Sequence, residues 1–260
     1  MIWKKIFIIA IALALVVGCG SKKDKDMPQG EVFAEERFFP LPEFSQLFGA
    51  LDYLQTANYD AALPDTYLNE VSDVYIASYY LGNLTADAVV AVKARNKTKL
   101  TAIANAMISC SKMVGISEEV LMLADELLIL IQNDQWDDLQ IALETYKKRV
   151  EISLYDTQQF DFMTLMQAGG WTAGINTMSY LLIQNYREDT SAILKQTGTI
   201  NNVSTNLSKM TNNELYETTW FTQIVTAFEK MGEIVKTENE TFTQDEIKIL
   251  YEITNIIATF

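Results

Sequence analysis

Phe162 to Tyr186, FMTLMQAGGWTAGINTMSYLLIQNY, runs for 25 residues without one charged side chain. A transmembrane span is the first thing such a run suggests. Gln167, Asn176, Gln184 and Asn185, together with three glycines and several threonines, make it too polar for that. The stretch instead predicts a buried central helix, which needs other helices around it. Glycine costs about 1 kcal/mol relative to alanine inside a helix. The doubled Gly169-Gly170 therefore signals a close contact, a kink or a ligand. Gly170 and Gly174, beside Ala173 and Thr177, have the spacing that lets a second helix approach closely. The functional alternative is a pocket left by the missing side chains, with Gln167, Trp171 and Asn176 around Gly170 and Gly174.

Working outward, helical spacing continues on both sides. Phe44, Leu47, Phe48, Leu51 and Leu54 form an i, i+3, i+4, i+7 stripe. Further helices are expected over 65–80, 86–95, 100–114 and 117–132. The last is apolar nearly all round, with Asp125 and Glu126 its only interior charges, and so reads as a second central helix. Residues 136–154 are two-faced. Leu139, Leu143, Tyr146 and Val150 are expected inside, and Asp137, Glu144, Lys147, Lys148 and Glu151 outside, with Glu144 and Lys148 at the favourable i, i+4 spacing.

Caps mark the boundaries. Thr211-Asn212-Asn213-Glu214 and Thr243-Gln244-Asp245-Glu246 read as capping boxes, and Asp156 with Gln159 imitates one. Gly82, Gly115 and Gly198 fall where helices should stop. The acidic pairs Glu118-Glu119, Asp137-Asp138 and Asp245-Glu246 suit first helical turns, where negative charge complements the helix dipole. At the end of the chain Ile249, Ile253, Ile256, Ile257 and Phe260 fit a helical stripe better than a strand. Residues 201–209 read equally as a polar loop or a short helix. Convincing period-two runs are missing. The expectation is an all-α chain, a single multi-helix bundle of about eight to ten helices.

The amino terminus carries an address. Lys4 and Lys5 precede an apolar run, Ile6 to Val17, long enough for a signal h-region but too short to cross about 30 Å of hydrocarbon. Val16-Val17-Gly18-Cys19 closes it in the order aliphatic, aliphatic, glycine, cysteine, the lipobox pattern. Residues 1–18 then form a cleaved lipoprotein signal peptide, and Cys19 is the lipidated first residue. Two or three acyl chains on one residue exceed what stable membrane attachment requires. Residues 19–37 are polar and charged around Pro28 and Gly30, and read as a flexible tether. Phe38-Phe39-Pro40-Leu41-Pro42 is held extended by its prolines and opens the globular domain, 38–260. Gly20, rather than Asp, after the cysteine points to the outer membrane of the cell envelope.

The chain has 260 residues and a net charge of −14, about −16 once residues 1–18 are removed. That balance excludes nucleic acid as a partner, which needs clustered Lys and Arg. It leaves lipid on Cys19 as the contact with the membrane. Cys110 is the only other cysteine, in apolar surroundings, and reads as a small buried hydrophobe. Histidine is absent altogether. Its absence removes Ser-His-Asp and Cys-His nucleophile systems, HExxH zinc sites and Glu-x-x-His di-iron sites. Ser109-Cys110-Ser111-Lys112 matches Ser-x-x-Lys, but Ser-Asp-Asn and Lys-Thr-Gly partners are missing, and chance supplies such a match in a chain this long. No catalytic residue, metal site or cofactor is expected.

Three segments carry a resemblance: the Pro40–Phe44 approach, Leu81-Gly82-Asn83-Leu84-Thr85-Ala86-Asp87, and Gly169-Gly170-Trp171 in a late helix. Together they resemble an uncharacterised family of all-helical bacterial lipoproteins, over most of the chain beyond Cys19. Thr85 stands where that family usually has glycine, and Val90 where it has an aromatic. The resemblance implies architecture and location, and no activity. The expected function is that of a non-enzymatic, membrane-anchored lipoprotein that binds a protein or another envelope component. The alternative is a small-ligand-binding lipoprotein with a pocket near Trp171, Gly170 and Gly174.

Overall fold

A computed structural model describes residues 49, 51, 52, 54, 57–68 and 71–258. The signal peptide, Cys19, the tether, the Phe38–Pro42 segment and Phe260 lie outside the described residues. Among those described there is no strand, and eight helices pack as one bundle. They are α1 (Val74–Ala94), α2 (Lys97–Val114), α3 (Glu118–Gln132), α4 (Trp136–Asp156), α5 (Phe160–Gln184), α6 (Thr197–Leu207), α7 (Thr219–Val235) and α8 (Gln244–Ile257). No helix among the described residues is long and apolar enough to cross a membrane.

The charge-free stretch is α5, and it is central as expected, with Met163 to Gly169 buried without a break. Its main partner is α1, and α8 packs against α5 as well. Here the structure corrects the sequence reading. Instead of two helices parted at Gly82, α1 is continuous, and Ala77 to Val92 are all buried. Gly82 sits mid-helix because another backbone passes there. A Cβ on Gly82 would meet the Met166 carbonyl oxygen at 1.9 Å, and one on Gly169 would meet the Tyr79 carbonyl oxygen at the same distance. Such a crossing buries the facing stripe of each helix, and α2 and α4 cover other faces of α1.

The second central helix is a correction too. In α3 only Val120, Leu121, Ala124, Leu127 and Ile131 are buried, while Met122 is 63% and Ile129 57% exposed. It packs between α2 and α4 at the edge of the bundle, so its apolar outer residues meet solvent. In α4 the expected inner residues are buried, but Lys147 and Glu151 are buried with them. Lys147 Nζ lies 3.4 Å from Glu144 Oε1, which also sits 3.8 Å from Lys148 Nζ. In α8 the inward face is Ile247, Leu250, Thr254 and Ile257, and Ile249 and Ile256 point outward. That register is one step from the expected isoleucine stripe.

Boundaries follow the caps in part. Gly115 ends α2 at φ +83°, a conformation glycine adopts without strain. Thr243 and Glu246 form the expected capping box of α8. Asp73 caps α1 by accepting from the amides of Tyr75 and Ile76. Elsewhere the sequence misled. Thr211 donates to Asp161 Oδ2, and it is Asn212 that caps a five-residue 3-10 turn. Asp156 ends α4 rather than capping α5, which has no side-chain cap. Gly198 is the second residue of α6, and residues 201–207 are helical.

Candidate functional site

The residues expected to matter lie on α5, but they do not converge. Gln167, Gly170, Trp171 and Gly174 share one helical stripe, whereas Asn176 projects from the opposite side. Gln167 is buried within the bundle, and Trp171 is half-buried against the core. The Gly170 amide nitrogen is 2.7 Å from where a Gly82 Cβ would sit, so Gly170 belongs to the helix crossing. Gly174 does not, because a Cβ there meets nothing within 4 Å. The close approach thus uses Gly82, which had read as a helix stop, and the doubled Gly169-Gly170, for which a close contact was one of the expectations. Asn176 Nδ2 donates to Thr254 Oγ1 at 3.1 Å and ties α5 to α8.

Among the described residues, two cavities stand out elsewhere. One of about 210 Å³ lies at the α4–α5 turn, lined by Tyr75, Gln158, Phe160, Asp161 and Thr211 among others. The second, about 310 Å³, is a groove between α7 and α8 with Thr222, Thr226, Lys230, Ile253 and Ile256 on its walls. None of the five expected residues lines either.

The most unusual chemistry is on α1 itself. Asp87 is a buried carboxyl, and burial raises it from the ordinary aspartate range to about 7, with Tyr67 and Lys99 opposing that rise. Removing an isolated carboxylate from water is costly, so the group shifts towards its neutral form. Tyr67 comes from an irregular segment, residues 63–68, that lies ahead of α1 in the chain. Its hydroxyl oxygen is buried without a completed hydrogen bond, although Asp87 acts on it. Burial, then the Asp87 charge, raises Tyr67. The neighbouring Leu68 amide donates to the Tyr80 hydroxyl at 2.8 Å. Tyr80 is pushed up to about 12, mainly by burial. On α2, Lys99 Nζ donates to the carbonyls of Asp60 (2.9 Å) and Leu63 (3.3 Å), pinning the start of the same segment.

Asn83, one helical turn before Asp87, is also buried, and its Oδ1 has no hydrogen-bond partner. Asn83 and Asp87 belong to the Leu81–Asp87 segment, which stood out for its resemblance and its glycine and not for these polar side chains. Low hydropathy within an otherwise apolar α1 was the available signal. Cys110 is buried as expected, and burial pushes its thiol up to about 12. Ser111 Oγ is 2.5 Å from Tyr146 Oη and joins α2 to α4; it is a variable position of the Ser-x-x-Lys match, whose serine is Ser109. Among the described residues no cluster of three or more acidic or cysteine side chains could hold a metal ion.

No protein-family model, curated protein or solved structure matches this chain.

Proposed function

We propose that this chain is a bacterial lipoprotein, anchored by lipid on Cys19, whose helical body binds a protein or another component of the cell envelope without catalysing a reaction. The observation that carries the reading is Val16-Val17-Gly18-Cys19 closing an apolar run behind two lysines. A polar tether follows it, and then an acidic bundle. The resemblance to helical bacterial lipoproteins agrees with this, and Gly20 favours the outer membrane.

The binding half of the reading is supported by exposed apolar side chains on α3 and α4. Met122 and Ile129 of α3, and Ile141 and Ile152 of α4, are each at least half exposed, and on each helix they recur at helical spacing, which suits contact with another surface. The test is detergent-phase partitioning combined with co-purification from native membranes. The full chain partitions into detergent and Cys19→Ala moves to the aqueous phase. A component that co-purifies with the full chain is lost from the Met122→Asp/Ile129→Asp double variant. Partitioning that survives Cys19→Ala overturns the anchor, and co-purification unaffected by the double variant overturns this face.

A small ligand beside Trp171 is the second reading. The open space at Gly174, three residues from half-buried Trp171, favours it. It requires a rise in melting temperature with an envelope extract that Trp171→Ala abolishes.

A further inference from the structure

We propose that the cavity at the α4–α5 turn is a binding site for one neutral sugar ring. It uses no residue of the lipid anchor or of the exposed α3 and α4 faces, so it stands or falls separately from them.

Three separate stretches of chain build the cavity. Tyr75 comes from the first turn of α1, residues 158–162 from the α4–α5 turn and the start of α5, and Thr211 from the approach to the 3-10 turn. Aromatic rings supply the apolar walls, and each is fixed by another ring. Tyr75 meets Phe162 edge-on with centroids 5.2 Å apart, and Phe160 meets Tyr155 in the same manner at 6.1 Å. Asp161 ties down the side towards Thr211. Its Oδ2 accepts from the Thr211 hydroxyl (2.5 Å), the Thr211 amide (2.9 Å) and the Asn212 amide (3.4 Å). The walls are therefore set before a ligand arrives. At about 210 Å³ the cavity is smaller than the about 300–1,000 Å³ that encloses a drug-sized molecule, and it has room for a single small ring.

The polar groups around those rings are uncommitted. Among the described residues, the Tyr75 hydroxyl, the side-chain amides of Gln158 and Gln159, and Asp161 Oδ1 make no hydrogen bond. A phenol and an amide both give and accept, whereas a carboxylate oxygen only accepts. An ammonium ion has donors alone and would leave the amide N–H groups without acceptors. A carboxylate or phosphate has acceptors alone and would meet the charge of Asp161. A ligand that carries several hydroxyls gives and accepts at once, and one of them can donate to Asp161 Oδ1 in a charge-assisted bond. The C–H face of a sugar ring then packs on the aromatic walls. This combination of needs selects a neutral saccharide.

Two side chains can be changed without disturbing the fold. Gln158 follows α4 at φ +57°, a left-handed position that glycine ordinarily fills. Backbone bonds hold it there, from the Gln158 amide to the Tyr155 carbonyl and from the Gln159 amide to the Leu154 carbonyl, each 2.9 Å. Gln158→Gly keeps both bonds, eases the backbone and removes one side-chain amide. Tyr75→Phe removes only a hydroxyl and keeps the ring contact with Phe162. Neither change breaks a side-chain hydrogen bond among the described residues, so lost binding is distinguishable from lost folding.

Amide NMR spectra of the full chain in detergent micelles read the site, with methyl β-glucoside, methyl β-galactoside and methyl N-acetyl-β-glucosaminide as probes. At least one glycoside gives saturable shifts at Tyr75, Thr211 and the Gln158 and Gln159 side-chain amides, with a dissociation constant of about 1 mM, the order that one small ring supports. Gln158→Gly and Tyr75→Phe each weaken that binding about fivefold, the worth of one hydrogen bond, and keep or raise the melting temperature. The disaccharide ending in the same sugar separates the end of an envelope glycan from a free sugar, and binding of either at these residues upholds the site. No saturable shift at about fifty times the expected constant overturns the proposal. So does binding that is unchanged in both variants, or shifts at these residues with tetramethylammonium or acetate in place of the glycosides.

Discussion

Gly82 lies so close to Met166 that a Cβ on the glycine would sit 1.9 Å from the Met166 carbonyl oxygen. Backbone atoms cannot move aside as the end of a flexible side chain can. Gly82→Ala therefore has to push α1 and α5 apart, and Gly169→Ala has to do the same from the other helix. Each is expected to lower stability by about 3 kcal/mol, the upper end of what overpacking costs. Urea unfolding followed by circular dichroism measures it.

Gly174 provides the opposite expectation on the same helix. Its Cβ would meet open space, so alanine there gains helix propensity without a clash. Gly174→Ala is expected to raise stability by about 0.5–1 kcal/mol in the same unfolding assay.

The hydroxyl of Tyr79, fully buried, donates to the Ile257 carbonyl at 3.0 Å and lies 2.9 Å from Thr172 Oγ1. One phenol thus joins α1, α5 and α8. Tyr79→Phe leaves the other two groups short of a partner and is expected to cost about 1–2 kcal/mol. Faster exchange of the α8 amides, measured alongside the unfolding curve, locates the loss at that helix.

Overall stability should carry the mark of Asp87. Its folded value, about 7, lies above the unfolded value of 3.8, so the folded chain binds more protons between those limits. Stability contributed by this group is present below about pH 4 and lost as pH rises through 7. Asp87→Asn is expected to stabilise the protein at pH 8 by more than it does at pH 5. Denaturant midpoints at the two pH values give the comparison.

Cys110 is expected to be inert while the chain is folded. It is buried, and its thiol is pushed up to about 12, so almost no thiolate forms at pH 8. A thiol-disulfide reagent should label it only in denaturant. Rapid labelling of the native protein would contradict the packing of α2.

The all-helical class was legible because apolar spacing and caps agree along most of the chain. The charge-free 162–186 stretch announced its burial through the cost that any charge would face there. What remained hidden depends on distant neighbours. Gly82 reads as a helix stop in isolation, and only the passing backbone of α5 explains it inside a helix. Residues 117–132 look central because apolarity does not say how many sides a helix has covered, and α3 is covered by α2 and α4 with its outer face open. Lys147 sits at a position that periodicity gives to solvent, yet it is buried beside Glu144. The Asp87 cluster was invisible because Tyr67 and Lys99 reach it from separate segments.

The central claim is the lipid anchor, and the mass of the amino-terminal peptide from membrane-extracted protein tests it most directly. The account predicts a peptide beginning at Cys19, without residues 1–18, carrying the added mass of a diacylglyceryl group. A peptide that begins at Met1, or one that begins at Cys19 with no acyl mass, would contradict it.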